Sequence, residues 1–232
     1  DELMARTAEA FGGYCTYAAR LAEERRQSPT DDLMSVLVHA EVDGHRLDQD
    51  SVIAESLLLL IGGDETTRHV ISGGLYQLLV EPSRWAELVA DRSLVAGAVE
   101  EMLRWVSPIK NMNRTVTENI SFHGAQLKAG DKMLLLYPSA NRDESVFDDP
   151  FTFDIHRADN DHVAFGGYGT HHCLGKSLAR LELQVMFETL LDRLPDLDLV
   201  DTAEPAYRPA NFVSGYETLP VRFTPVSPLG VG

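Results

Sequence analysis

One cysteine stands where a thiolate ligand could be made. The run Phe165-Gly166-Gly167-Tyr168-Gly169-Thr170-His171-His172-Cys173-Leu174-Gly175 puts three glycines ahead of Cys173 and a helical pattern behind it. Glycine lets a backbone turn tightly and approach a ligand closely. Unpaired N–H groups and the dipole at a helix start lower a thiol's pKa and favour thiolate. A thiolate held in this way suits a soft metal. A lone cysteine after a turn is more often a buried packing residue, and the glycine spacing is what argues for ligation. A zinc site drawn from His162, His171, His172 and Cys173 is a rival of the right residue types. Adjacent His171-His172-Cys173 do not easily all face one tetrahedral ion, and no His-Glu-x-x-His helix exists.

Two further motifs carry charge or hydroxyls at suggestive spacings. Gly62-Gly63-Asp64-Glu65-Thr66-Thr67 lies inside a long apolar helical stretch. Glycine in a helix interior costs about 1 kcal/mol against alanine, so two of them want a reason. Removing the side chain at Gly62 and offering a hydroxyl one turn later at Thr66 would open a groove for a small molecule, with Glu65 able to carry protons. The alternative is a helix break whose second half Glu65 and Thr66 cap. Glu101-Met102-Leu103-Arg104 offers an i,i+3 ion pair, which on its own is most simply a surface contact.

Several elements must position these residues. Residues 3–26 have helical composition, Thr30 is a candidate cap, and 31–40 read as a short helix. Asp43-Gly44 is a turn signal. Asp48 or Asp50 could cap a long helix running to about Val80, interrupted at Gly62-Gly63. Pro82 opens another helix, and a further one over about 94–105 ends before Pro108. Ile120-Ser-Phe-His-Gly and Lys132-Met-Leu-Leu-Leu read as a hairpin about the turn at 128–131. Residues 138–172 read as mostly loop, which at that length is usually functional. A helix from about Leu174 to Leu191 carries Leu174, Leu178, Leu181 and Val185 on one face. The tail from 195, with six prolines, reads as short strands and turns.

Composition narrows the function classes. The 232 residues carry 20 Lys+Arg against 36 Asp+Glu, a net charge of −16. That disfavours nucleic acid as main partner, because a phosphate backbone wants a basic face. Hydrophobic and charged fractions of 44% and 24% are ordinary globular values. The longest apolar stretch, Leu57 to Gly63, is far too short for a transmembrane segment. Two cysteines make no disulfide framework and fit a reducing compartment, so a cytoplasmic location is expected. The chain starts with Asp1 in mid-helix, as a piece of a longer protein would.

Taken together and in this order, the motifs resemble the cytochrome P-450 monooxygenases. The resemblance runs over essentially the whole chain, and includes Asn141-Arg142-Asp143 with Phe147 and Pro150, and Phe153-Asp154-Ile155-His156-Arg157 before the cysteine. It implies a mainly α fold with small β-sheets, residues 1–232 being the C-terminal portion of one P-450 domain whose N-terminal half is absent. It implies that Cys173 is the axial ligand of haem b, its thiolate favouring O–O cleavage. Glu65 and Thr66, assisted by Thr67, would relay protons to bound O2, for which Gly62 and Gly63 leave room. Glu101, Arg104 and Arg157 would be the structural cluster of the family, and Arg114 and His171 the haem-propionate partners. Phe165 and Gly166 belong to the cysteine loop. Here Phe165 stands eight residues before Cys173 where the family commonly has seven, and Thr152 replaces an arginine of the Pro-x-Arg-Phe pattern.

Ile61 to His69, Glu100 to Trp105, Pro108 to Met112 and Pro209 to Gly215 are similar to actinobacterial P-450s that oxidise the terminal methyl of a cholesterol or cholestenone side chain. That similarity implies a pocket lined by Ile109, Met112, Phe212 and Val213. It also implies O2 and a sterol or other lipophilic molecule as reactants, with electrons from NAD(P)H through ferredoxin reductase and ferredoxin. Lys176 and Arg180, one turn apart, would be a basic dock for an acidic ferredoxin. A rival from another class is a catalytically silent fragment of this type serving as a binding module.

Overall fold

The computed structural model of the chain describes residues 2–167 and 169–228; Tyr168 of the glycine loop lies outside them. The chain divides into two compact units, Asp1–Asp64 and Glu65–Gly232, and the division falls inside a helix.

The first unit holds α1 (Glu2–Gln27), α2 (Leu33–His39), the two-residue strands β1 (Glu41–Val42) and β2 (His45–Arg46), and the start of α3 (Gln49–Leu79). Asp32, rather than the expected Thr30, caps α2: its Oδ1 accepts from the Ser35 amide at 2.7 Å. Thr30 instead donates its hydroxyl to the Asp32 carboxylate. Asp43-Gly44 makes the turn between the strands with φ of 52° and 78°, the left-handed conformation a tight hairpin turn needs. Asp48 caps α3 by accepting from the Ser51 amide at 2.8 Å. A small core of Ala18, Ala22, Met34, Val38 and Val52 joins these helices. The interruption expected at Gly62-Gly63 is absent: α3 is continuous over 31 residues. Propagation adds one hydrogen bond per residue, and that carries a helix through two poor formers.

The second unit continues α3 and adds α4 (Pro82–Ala90), α5 (Val95–Val106), β3 (Asn111–Thr115), β4 (Ile120–Phe122), β5 (Ala125–Leu127), β6 (Lys132–Leu136), α6 (Tyr137–Ala140), α7 (Lys176–Arg193), β7 (Asp198–Leu199) and β8 (Val221–Arg222). Pro82 occupies the first turn of α4, where no amide donor is needed. α5 stops at Ser107, which turns left-handed with φ 41°. The strand pairing differs from the sequence expectation. β4 pairs with β5, and β6 pairs antiparallel with β3. His123-Gly124, with φ of 46° and 82°, supplies the tight turn between β4 and β5. The turn at Lys128–Asp131 leads β6 away to β3 instead.

The core of this unit packs α7 on α5, α4 and α3. Leu183, Phe187 and Leu191 of α7 are fully buried, against the buried Val99, Met102 and Leu103 of α5 and Leu78 of α3. The face expected to pack, Leu178, Leu181 and Val185 with Leu174 just ahead, is exposed. Periodicity reveals that a helix is apolar on a face, not which of two apolar faces meets the core. Gly73 lets α3 approach α5 closely: a Cβ there would meet Val106 Cγ2 at 2.7 Å.

The centre of the unit is a buried ion pair. Arg104 Nε and Nη2 donate to the two Glu101 carboxylate oxygens, each at 2.7 Å, and both side chains are 0% exposed. Arg104 also donates to the carbonyls of Asn141, Pro150 and Thr152. Glu101 further accepts from the Asp154 amide, Arg157 Nε and Asn160 Nδ2. One pair on α5 thereby organises residues 141–160, which have almost no regular structure of their own. Arg104→Met leaves a buried carboxylate without its main partner and is expected to cost about 3–5 kcal/mol. Gly73→Ala is expected to cost about 1–3 kcal/mol by overpacking. Both are read as lowered urea midpoints at unchanged m value.

Candidate active site

The cysteine loop is pinned by its backbone. The Cys173 amide donates to the Phe165 carbonyl at 3.1 Å, the Gly166 amide to Val163 at 2.9 Å, and the His172 amide to Gly169 at 3.1 Å. Gly166 and Gly169 have φ of 86° and 110°, conformations that side chains other than glycine rarely adopt. The Lys176 amide closes the first turn of α7 onto the Cys173 carbonyl at 3.4 Å. Cys173 is exposed, so its thiol is presented rather than packed. The loop is tied back to the core at its start, where the Val163 amide donates to the side chain of fully buried Asn141. Asn141 in turn donates to the Ser107 hydroxyl at the end of α5. Among the described residues, no group of three or more His, Cys, Asp or Glu could hold a metal ion, so the zinc arrangement does not form there.

Next to this loop a second charged cluster hangs from α5. Arg180 of α7 makes a two-pronged pair with Glu100, Nε to Oε1 at 2.7 Å and Nη2 to Oε2 at 2.8 Å. His162 Nε2 lies 3.1 Å from the same Glu100 Oε2. Burial opposes the Glu100 charge, but hydrogen bonds from Arg180 and His162 win and hold its carboxyl down at about 2. The stability this adds is present above the ordinary carboxylate pKa and is lost as pH falls below it, through about 2. Arg180, offered with Lys176 as a docking spot, is thus paired with Glu100 while its side chain stays 41% exposed. Lys176 contacts His172 Nδ1 at 3.3 Å.

On α3, Glu65 is the hub of a cationic set. Arg208 Nη1 donates to Glu65 Oε1 at 2.6 Å and Arg68 Nη2 to the same oxygen at 2.9 Å. The Arg208 hydrogen bond, against the opposing effect of burial, holds the Glu65 carboxyl below its usual range. His69, one turn on, is 2% exposed, with Nε2 3.9 Å from Glu65 Oε2. Burial pushes its pKa down. His69 fits only because residue 215 is glycine: a Cβ on Gly215 would meet its Nδ1 at 2.3 Å. Thr67 is buried and Thr66 half-buried. Gly62 and Gly63 belong to the first unit, and a Cβ on either would meet nothing within 4 Å.

The remaining expected residues fall into two groups. Ile109 and Val213 face each other across an isolated antiparallel bridge, flanked by the Lys110 amide donating to Phe212 O at 2.8 Å. Met112 is half-buried on β3, opposite Leu135 of β6, and Phe212 is exposed. Arg114 and His171 are both exposed, and Arg114 donates to the Asn113 carbonyl at 3.0 Å. Glu101, Arg104 and Arg157 lie together, as described above. The sequence reading named His162 only as a zinc candidate and Asn141 only within a motif, and it passed over Glu100, His69 and Arg208 as parts of a working cluster. Arg180 it assigned to the surface. A Glu-Glu pair on an amphipathic helix was the available signal for Glu100; nothing local points to Arg208, whose partner lies 143 residues away.

The arrangement can present one thiol from a loop pinned by its backbone and one carboxylate held ionised by arginines. Among the described residues, no helix is long and apolar enough to cross a membrane. Comparison with known proteins accords with this geometry. The chain is 56% identical over 221 residues to a steroid C26-monooxygenase of Mycolicibacterium smegmatis, covering 95% of this chain and 55% of that protein. It is 45% identical over 228 residues to a methyl-branched lipid omega-hydroxylase of Mycobacterium bovis, covering 97% of this chain and 51% of that protein. The chain therefore spans about half the length of the curated relatives it matches. CYP109E1 from Bacillus megaterium in complex with testosterone superposes with a TM-score of 0.91 at 37% identity, over 96% of this chain and 61% of that one. The Cytochrome P450 profile matches residues 16–195, and the chain belongs to the cytochrome P450 family.

Proposed function

We propose that this chain is the cysteine-bearing part of a haem-thiolate monooxygenase that oxidises the terminal methyl of a sterol side chain. The observation that carries the reading is Cys173: an exposed thiol on a glycine loop at the start of a helix, in a chain of this family. The residues present fit haem b. The thiol is a soft donor suited to iron, its loop holds no competing metal cluster among the described residues, and Arg114 and His171 are exposed cations or donors suited to the two propionates. Bound there, haem supplies the activation of O2 for insertion into a C–H bond.

The chain's own residues have separate tasks. The backbone hydrogen bonds of the loop hold Cys173 just ahead of α7, where its sulfur would meet the haem iron. Glu65, kept ionised by Arg208 and Arg68, accepts a proton from solvent and delivers it toward bound O2, with the hydroxyls of Thr66 and Thr67 passing it on. Its exchange of Arg208 for a proton is the step that gates delivery. Ile109, Met112, Val213 and Phe212 supply apolar surface for a sterol tail, whose burial favours binding by about 25 cal/mol per Å². The names of the two mycobacterial relatives, a steroid C26-monooxygenase and a methyl-branched lipid omega-hydroxylase, support a terminal methyl on a branched chain as the target. Electrons would arrive from NAD(P)H through a reductase and a ferredoxin, and the enzyme would work in the cytoplasm.

The test uses the longest chain that the gene encodes. Reduced with dithionite and treated with CO, the protein is expected to show the strongly red-shifted Soret band of thiolate-ligated haem, and Cys173→Ala to lose it; absence from the parent protein rejects the reading. Arg208→Gln removes the hydrogen bond that depresses Glu65, so the Glu65 pKa rises toward the ordinary value of about 4.5. The acid limb of the turnover–pH profile is then expected to move to higher pH, and an unmoved limb removes Glu65 from proton delivery.

A further inference from the structure

Glu100 and Glu101 are neighbours on α5 and serve two different clusters. Glu101 gathers the loop before the cysteine motif. Glu100 reaches the cysteine motif itself, and nothing in the function proposed above uses it. Three observations define its cluster. First, the His162 side chain is 2% exposed and wired at both ring nitrogens. The Ala164 amide lies 3.2 Å from His162 Nδ1. An amide can only donate, so Nδ1 carries no proton and the ring hydrogen sits on Nε2. Nε2 therefore donates to Glu100, and the imidazole ties α5 to the backbone of the loop. Second, the Arg180 guanidinium, held in plane by its two bonds to Glu100, lies over the Phe165 ring, 4.7 Å from its centroid. His162 contacts the same ring at 5.9 Å. Third, the Phe165 carbonyl is the acceptor for the Cys173 amide.

We propose that Glu100, His162 and Arg180 form a positioning cluster for the haem-ligating loop, fixing Phe165 and, through its carbonyl, the orientation of Cys173. The inference rests on the haem-thiolate reading. A surface ion pair is worth little because its side chains are free to move. This one differs: a planar guanidinium is gripped at two atoms, stacked on a ring, and shares its carboxylate with a buried imidazole. Removing any member releases Phe165 on one side. The loop would then keep its glycine turns but lose the register that aims the sulfur. Arg92, which joins α7 through Asp192 and touches none of the loop, is the matched comparison.

The experiment uses the haem-loaded full-length protein. Arg180→Lys keeps the charge and loses the fork, Glu100→Gln keeps the shape and loses the charge, and the double variant combines them. The rate at which the red-shifted CO band decays to the blue-shifted form that marks thiolate loss is measured, with far-UV circular dichroism and urea midpoints alongside. Each single variant is expected to speed that decay several-fold with its far-UV spectrum unchanged. The double variant is expected to be no faster than the worse single one, because the members act as a unit. Arg92→Gln is expected to decay at the parent rate. Single variants that decay at the parent rate, or effects that simply add, overturn the proposal while leaving the haem assignment standing. A parent protein without the red-shifted band overturns both. If Glu100→Gln does not fold, Arg180→Lys against the parent decides the matter alone.

Discussion

Burying the Glu101 carboxylate and the Arg104 guanidinium costs several kcal/mol per ion unless every polar atom finds a partner. That requirement shapes the second unit. Arg104 has five N–H donors, and the carboxylate and three backbone carbonyls of residues 141–152 take them up. Glu101 takes donors from Asp154, Arg157 and Asn160. A stretch too rich in Asp, Pro and Asn to form helices or strands is thereby held by one turn of α5. Phe147 and Trp105 cover the guanidinium, at 5.3 and 5.7 Å from their centroids, which excludes water from the pair.

The same logic extends outward to the thiol. Asn141, fully buried, accepts from the Val163 amide and donates to Ser107, so the start of the cysteine loop hangs from the end of α5. Glu100 reaches the entry of the loop through His162 and the start of α7 through Arg180. The loop itself contributes turns that glycines at positive φ permit. It is anchored on α5 and α7, and that is how a segment without regular structure can position Cys173.

Glu65 illustrates a different use of charge. Its partners Arg208 and Arg68 are exposed enough to move, so the carboxylate is held ionised yet not locked. His69 beneath it is buried and has its Nε2 without a hydrogen-bond partner among the described residues. A carboxylate poised between arginines and a buried imidazole is better suited to passing a proton than to bearing load. Glu101, by contrast, is saturated with donors and fully enclosed.

Much of this was legible in the sequence. Caps at Asp48, proline at Pro82, the stop before Pro108 and the glycines before Cys173 act within a few residues, where local sterics and hydrogen bonding decide the outcome. Motif order was enough to group Glu101 and Arg104 and to suggest Arg157. Tertiary structure decided what depends on partners distant in sequence. β6 pairs with β3, while the two-residue turn at His123-Gly124 pairs β4 with β5. α7 buried Leu183, Phe187 and Leu191 rather than its other apolar face, since periodicity marks apolar faces but does not say which meets the core. Arg180 paired with Glu100, and Arg208 crossed to Glu65 over 143 residues. A charge states what it needs in the sequence; which opposite charge is near enough to meet that need is settled only when the chain has packed.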